Sequence, residues 1–288
     1  MRNIKTFNMF FFLVFLVFIV LPNPSMMAQE PKFPNSIFLL AGQSNMAGRG
    51  VIMPGQATPS SPNILQLGLN HTWFEAHEPL HKEIDEGKRC GIGPGMSFAK
   101  TVLAMEPNMG VIGLVPCARG GTGLKQWARG SKLYDNLVQR AYASTKFGGK
   151  IKGLLWFQGE TDTSSTEDAL LYETRLPKFF NDLRDDLHLP DLPIVQVALA
   201  SGYHSDLITT VRQAQLFLCL KNVRTVDAWG LPLGLDGLHL NTDGAVRLGQ
   251  MLAHTFLSFK PKHKWVGGRK FGYQISYSTT KYFINKNS

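Results

Sequence analysis

Cysteine and charge are scarce in this chain, and acidic residues are absent from both of its ends. Three cysteines in 288 residues, Cys90, Cys117 and Cys219, exclude a fold held by a disulfide framework. One bridge at most can form. Cys90 and Cys117 lie in Gly-rich, loop-like surroundings and are the candidate pair. Cys219 sits in the apolar run 216–220 and is expected to be a buried small hydrophobe. Charged residues make up 18% and hydrophobic ones 44%, which is the balance of a globular chain long enough for one sizeable α/β domain. No apolar run reaches the ~20 residues needed to span a bilayer. No phosphate-binding loop is present, because Lys125 is followed by Gln126 rather than Ser or Thr. His71, His77 and His81 have no companion Cys or carboxylate at ligand spacing, so neither a metal nor another cofactor is expected. No internal repeat is evident.

The net charge of +9 invites a nucleic-acid partner, but its distribution argues against one. Arg2 and Lys5 carry +2, and residues 260–288 carry +7 with no acid, so residues 29–259 are neutral. Residues 1–28 read as a secretory signal peptide. Arg2 and Lys5 precede the 13 apolar residues 9–21, and Pro22, Pro24, Ser25 and Ala28 follow. The expected product is extracellular, with no stable membrane insertion once the signal is removed. Residues 260–288 form a basic, aromatic-containing extension with no readable motif, expected to be a disordered tail. Asn70-His71-Thr72 is the chain's single N-x-S/T sequon.

The chain is organised around residues 36–50, SIFLLAGQSNMAGRG. Residues 36–41 form a short apolar run that reads as a buried strand. Gly42 permits a sharp turn, and Ser44 follows at the mouth of a helix. Backbone N–H groups there favour negative charge, which suits a hydroxyl that attacks a carbonyl. Taken alone, Ser44 is equally well read as a helix cap. Further strands are predicted at 109–116, 150–158, 193–200 and 223–228. Helices are predicted at 96–105, 133–146, 166–187 (with a bend at Pro177), 206–220 and 242–259. Residues 48–94, with many Pro and Gly, read as a functional loop region. Its Trp73 and Phe74 either line a sugar-binding wall or cap the core. Strands alternating with helices predict a parallel sheet covered on both faces, with the site beyond the carboxyl ends of the strands. Four loaded segments follow strands and should meet there: Ser44, Gly120-Gly121, Gln158-Gly159-Glu160, and Asp236 with His239.

Acyl transfer by a serine needs a base, a group that orients the base, and donors for the oxyanion. His239 can be the base, and Asp236, three residues earlier, can accept from its other ring nitrogen. Gly120 or Gly121 can offer a backbone N–H, and Gln158 a side-chain N–H. Glu160 is a second candidate acid, or with Asp162 only fixes its loop. Arg119 is a substrate contact or a solvated charge.

The blocks GQSNMAG, PCARGGT, WFQGETD and DGLHLN together resemble the four sequence blocks of the SGNH hydrolase superfamily. More narrowly they resemble its sialate O-acetylesterase-domain branch, which includes plant carbohydrate esterases and acetyl-xylan esterases. The resemblance covers about residues 33–259. It implies a three-layer α/β/α fold, here with a five-stranded parallel sheet. It also implies Ser44 as nucleophile, His239 as base and Asp236 as its partner, with oxyanion donors from Ser44, Gly120-Gly121 and Gln158. Gln158 stands where the wider superfamily has Asn. Met46 removes the G-x-S-x-G pattern of the α/β-hydrolases. The expected substrate is an acetylated polysaccharide or oligosaccharide of the cell wall. The alternatives are a lipid or thioester hydrolase of the same superfamily, or a catalytically silent carbohydrate-binding protein.

Overall fold

A computed structural model describes residues 32–53 and 61–259. The expected signal segment 1–28 and tail 260–288 lie outside the described residues. The elements run β1 (Ser36–Gly42), α1 (Ser44–Ala47), β2 (Ile64–Leu67), β3 (Trp73–Glu75), α2 (Pro94–Met105), β4 (Ile112–Pro116), α3 (Lys132–Ser144), β5 (Lys150–Phe157), α4 (Thr166–Asp186), β6 (Ile194–Ala198), α5 (Ser205–Leu216), β7 (Val223–Asp227) and α6 (Thr242–Leu257).

The sheet has seven strands in the order β3-β2-β4-β1-β5-β6-β7, not five. The five expected strands are all present. The two extra ones come from the stretch read as a loop, where β2 pairs parallel to β4 and β3 closes the edge antiparallel to β2. Strands of four and three residues fall below the length at which an apolar alternation can be recognised.

Aromatic packing sorts the helices into layers. On one face Phe38 of β1 meets Phe98 of α2 and Phe256 of α6 edge-on, with centroids 4.9 and 4.8 Å away. On the other face Trp156 of β5 packs against Trp127 at 5.2 Å and Phe179 of α4 at 4.5 Å. Tyr134 of α3 completes that cluster at 6.2 Å from Phe179. Each such pair contributes about 0.5–1.5 kcal/mol beyond its burial. The helix starts follow from side-chain caps: Ser131, Ser165 and Asn241 each accept a backbone N–H two or three positions into α3, α4 and α6.

α5 ends at Leu216, four residues before the expected end. The apolar run that follows leads to the surface: Phe217 is 80% exposed and Cys219 is exposed rather than buried. The expected Cys90–Cys117 bridge is not formed, since all three cysteines are free thiols. The Cys90 thiol donates instead towards the His81 and Asp85 carbonyls. Cys117 is buried, which pushes its thiol up to about 11.

β1 lies at the centre of the sheet with β4 on one side and β5 on the other. The chain leaves β1 for the β4 side and later crosses to β5, so the carboxyl end of β1 is the topological switch point. Ser44 stands there.

Candidate active site

The turn at the end of β1 is set by Gly42. Its φ is +126°, and a Cβ there would lie 2.1 Å from the Phe157 carbonyl oxygen, so only glycine fits. Gln43 donates its N–H to that same carbonyl at 2.8 Å, and α1 starts at Ser44. The Ser44 side chain is nearly buried.

The segment between β7 and α6 supplies the other half of the site. His239 Nε2 lies 2.9 Å from Ser44 Oγ, and His239 Nδ1 lies 2.7 Å from Asp236 Oδ2. Asp236 Oδ1 accepts the backbone N–H groups of Leu238 and His239 at 3.0 and 2.9 Å, which makes the Asp-to-His segment a tight turn. Burial acts to raise the Asp236 carboxyl, but the His239 N–H, the His239 ring and the Leu238 N–H outweigh it and hold the group down at about 2. An ionised carboxylate only accepts, so Nδ1 carries the ring proton and Nε2 presents its lone pair to Ser44.

Asn45 ties three loops together. Its Nδ2 donates to Glu160 Oε1 at 2.5 Å and approaches the Leu238 carbonyl at 3.4 Å, while its Oδ1 accepts the Leu240 N–H at 2.9 Å. Glu160 therefore bonds the residue after Ser44, and no bond joins it to His239. Its Oε2 is buried without a partner, and desolvation, against the Asn45 bond, pushes the carboxyl up to about 7. Asp162 fixes a neighbouring loop. It accepts the Leu124 N–H at 3.0 Å, and burial raises it to about 6.

Gln158 and Gly120 are corrections. The Gln158 amide is fully enclosed, and its Nε2 is spent on Asp162 Oδ2 at 2.5 Å, the Thr122 carbonyl at 2.9 Å and Gln43 Oε1 at 3.3 Å. It has no hydrogen left to offer an oxyanion. The Gly120 N–H is likewise committed, to Asp85 Oδ1 at 2.9 Å. Asp85 is buried and paired with Arg49 at 2.6 Å, so it braces the glycine loop from the segment before α2. Gly121, at φ +75° and exposed, has no acceptor for its N–H among the described residues.

Gln43 is the residue that sequence reasoning missed. Its Oε1 accepts from Gly159 N at 3.3 Å, Thr161 N at 3.2 Å and Gln158 Nε2. With the oxygen fixed inward, Nε2 faces away from those donors. It has no protein acceptor among the described residues, and the Gln43 side chain as a whole is buried. The available signal was position: Gln43 directly precedes Ser44 on the turn.

Arg119 is half-buried and donates to the Ile84 carbonyl at 2.5 Å, so it is neither free nor merely solvated. Trp73 packs on the core, whereas Phe74 is 41% exposed. No group of three or more His, Cys, Asp or Glu able to hold a metal ion occurs among the described residues.

Residues 34–258 match the model of the sialic acid-specific acetylesterase family of carbohydrate esterases. The chain belongs to this family. It is accordingly a carboxylic-ester hydrolase with carbohydrate acetylesterase function. The esterase is 51% identical over 245 residues to the probable carbohydrate esterase At4g34215 of Arabidopsis thaliana, which covers 80% of this chain and 93% of that one. The crystal structure of the Arabidopsis protein superposes with a TM-score of 0.74 at 49% identity, over 78% of this chain and 98% of that one. NanS, at 18% identity, shares the fold with a TM-score of 0.67 over 79% of this chain and 98% of its own. The architecture, a mostly parallel sheet between helical layers, is thus shared with these proteins. Among the described residues no helix is long and apolar enough to cross a membrane.

Proposed function

We propose that the esterase removes O-acetyl groups from cell-wall polysaccharide through an acetyl-enzyme on Ser44, and that it does so outside the cell. The observation that carries the mechanism is the unbroken line Ser44 Oγ–His239 Nε2 and His239 Nδ1–Asp236 Oδ2, at 2.9 and 2.7 Å. His239 takes the Ser44 proton as Oγ adds to the acetyl carbonyl. The resulting imidazolium is stabilised by the ionised Asp236. The tetrahedral oxyanion is held by the N–H of Ser44, the N–H of Gly121 and Nε2 of Gln43. The C–O bond to the sugar then breaks, and His239 returns the proton to the leaving sugar oxygen. Water, deprotonated by His239, attacks the acetyl carbonyl. Acetate leaves and Ser44 regains its proton. Each oxyanion donor supplies about 3 kcal/mol of barrier lowering.

The acetyl group and the carbohydrate rest on family membership. The extracellular address rests on the cationic start and the 13-residue apolar run of residues 9–21. A neutral body over residues 29–259 fits an uncharged polymer better than a nucleic acid. Acetate release from p-nitrophenyl acetate, acetylated xylan and acetylated pectin, with Ser44→Ala alongside, tests the reading. Polymer deacetylation that vanishes in the variant is the expected result. A folded enzyme that releases acetate from none of the three refutes it.

A further inference from the structure

We infer that Asn70 is an N-glycan acceptor, on a turn that stands beside the catalytic edge without entering it. The inference rests on the secretory address proposed above, and on a geometry the sequon alone does not reveal.

Residues 68–72 form the turn between β2 and β3. The Gly68 N–H donates to the Thr72 carbonyl at 2.9 Å, and the His71 N–H returns to the Gly68 carbonyl at 3.2 Å. His71 adopts φ +62°, which closes the turn tightly. The turn is anchored from below by the buried Arg140 of α3, whose guanidinium donates to the Leu67 and Gly68 carbonyls at 2.8 and 3.1 Å. Its shape is therefore fixed by the body of the protein.

Within this turn the sequon side chains contact each other. Thr72 Oγ1 donates to Asn70 Oδ1 at 2.7 Å, and the Thr72 N–H adds a second bond to the same oxygen at 3.2 Å. Two donors on Oδ1 polarise the amide. Nδ2 has no protein partner among the described residues, and both Asn70 and Thr72 are exposed. In the transfer, Asn70 Nδ2 forms a bond to the anomeric carbon of a lipid-diphosphate-linked oligosaccharide and gives up one proton. The bond from that carbon to the diphosphate oxygen breaks, and the lipid diphosphate leaves with the electron pair.

The surroundings have room for the product. Leu69 is 62% exposed and Phe74 is 41% exposed, and a Cβ on Gly68 would lie 2.9 Å from the Phe74 ring. The ring therefore lies over the turn, where the first sugar covers apolar surface that is otherwise wet. β2 runs parallel to β4, and β4 to β1, so the turn emerges at the same sheet edge as Ser44. Two strand spacings, about 10 Å, separate the ends of β2 and β1. The acceptor turn thus lies along the same edge as Ser44 and is not part of the Ser44–His239–Asp236 line.

The test expresses the full chain in cells with a secretory pathway, beside the same chain carrying an additional cleavable leader of proven function. Protein from the medium is treated with peptide-N-glycosidase and mapped by peptide mass. The expected result is a gel shift removed by the glycosidase, with position 70 converted to Asp. Asn70→Gln and Thr72→Ala abolish the shift, and Thr72→Ser retains it. Hydrolysis of p-nitrophenyl acetate by Asn70→Gln equals that of the parent. Unshifted protein recovered from the medium of the leader-carrying chain overturns the inference. A shift seen only with the added leader upholds the acceptor site while refuting the address in residues 1–28.

Discussion

Asp236 reaches Ser44 through His239, Glu160 bonds Asn45 directly after Ser44, and the protein holds the two carboxylates in opposite ways. Asp236 lies on the segment after β7 with its side chain 53% exposed, receives two backbone N–H groups and a ring N–H, and sits at about 2. Glu160 follows β5, is sealed from solvent, has one neutral donor in Asn45 and one orphaned oxygen, and sits at about 7. A carboxylate that must stabilise an imidazolium has to stay ionised through the reaction, and only Asp236 is built for that. Glu160 holds Asn45, and through it the Leu238–Leu240 backbone that carries His239. The contrast shows that proximity to Ser44 does not define a carboxylate's protonation; the number of donors and the access of water do.

Substitutions can break this contrast, from the largest effect downwards. Ser44→Ala and His239→Ala should each lower kcat by several orders of magnitude, about 10⁶-fold where the pair acts as a unit, and the double variant should be no worse. Additive losses, measured by kcat on p-nitrophenyl acetate, would contradict a concerted pair. Asp236→Asn should cost about 10⁴-fold, because a neutral amide no longer fixes the Nδ1–H tautomer. If Glu160→Gln costs as much as Asp236→Asn, the two carboxylates have been assigned the wrong way round.

Gln43→Ala should lower kcat about 10²–10³-fold with little change in KM, as loss of one oxyanion donor does. Gln158→Ala acts indirectly, by releasing Gln43 Oε1. Rescue of Gln158→Ala by any residue that restores a donor to Gln43 would sharpen the assignment. Glu160→Ala should cost about 10–100-fold by loosening the Asn45 brace, and Glu160→Gln, which keeps an acceptor for Asn45, far less.

The smallest effect is on stability against pH. Glu160 and Glu78 rise from 4.5 to about 7, and Asp162 rises from 3.8 to about 6, all chiefly through burial. In that window the folded state binds more protons than the unfolded chain, so stability falls as pH climbs from about 4.5 through 7. His81, lowered by burial from 6.5 to about 4, acts in the opposite direction below 6.5. The difference between wild type and Glu160→Gln isolates one group. Its thermal unfolding should be less pH-dependent, by at most about 3 kcal/mol between pH 4.5 and 8. Parallel pH profiles for the two proteins would mean that Glu160 is not protonated in the fold.

The legible parts of the sequence were those with a local cause. Five strands were readable because buried parallel strands are continuous apolar runs, and Gly42 because no other residue tolerates that turn. Asp236 and His239 could be paired because their contact lies within a three-residue turn. β2 and β3 were not readable. They are short and sit at the sheet edge, and their pairing is decided by β4 and by Arg140. Cys219 was misjudged because α5 stops at Leu216 and turns an apolar run outwards.

The oxyanion donors show the boundary most clearly. The sequence by itself determined which segments meet at the carboxyl edge of the sheet, since alternating strands and helices leave one edge for every loaded loop. It also singled out Ser44 and His239 as candidates, with Asp236 and Glu160 both open as the acid beside the histidine. Only the tertiary structure decided which N–H groups remain free at that edge. Gln158 and Gly120 carry the right chemistry, but Asp162, Thr122 and Asp85, 4 to 36 positions away, consume their hydrogens. Gln43 and Gly121 are left over. Hydrogen-bond capacity is finite and is allocated between loops distant in sequence, so a donor's availability is a property of the folded packing and not of its residue type.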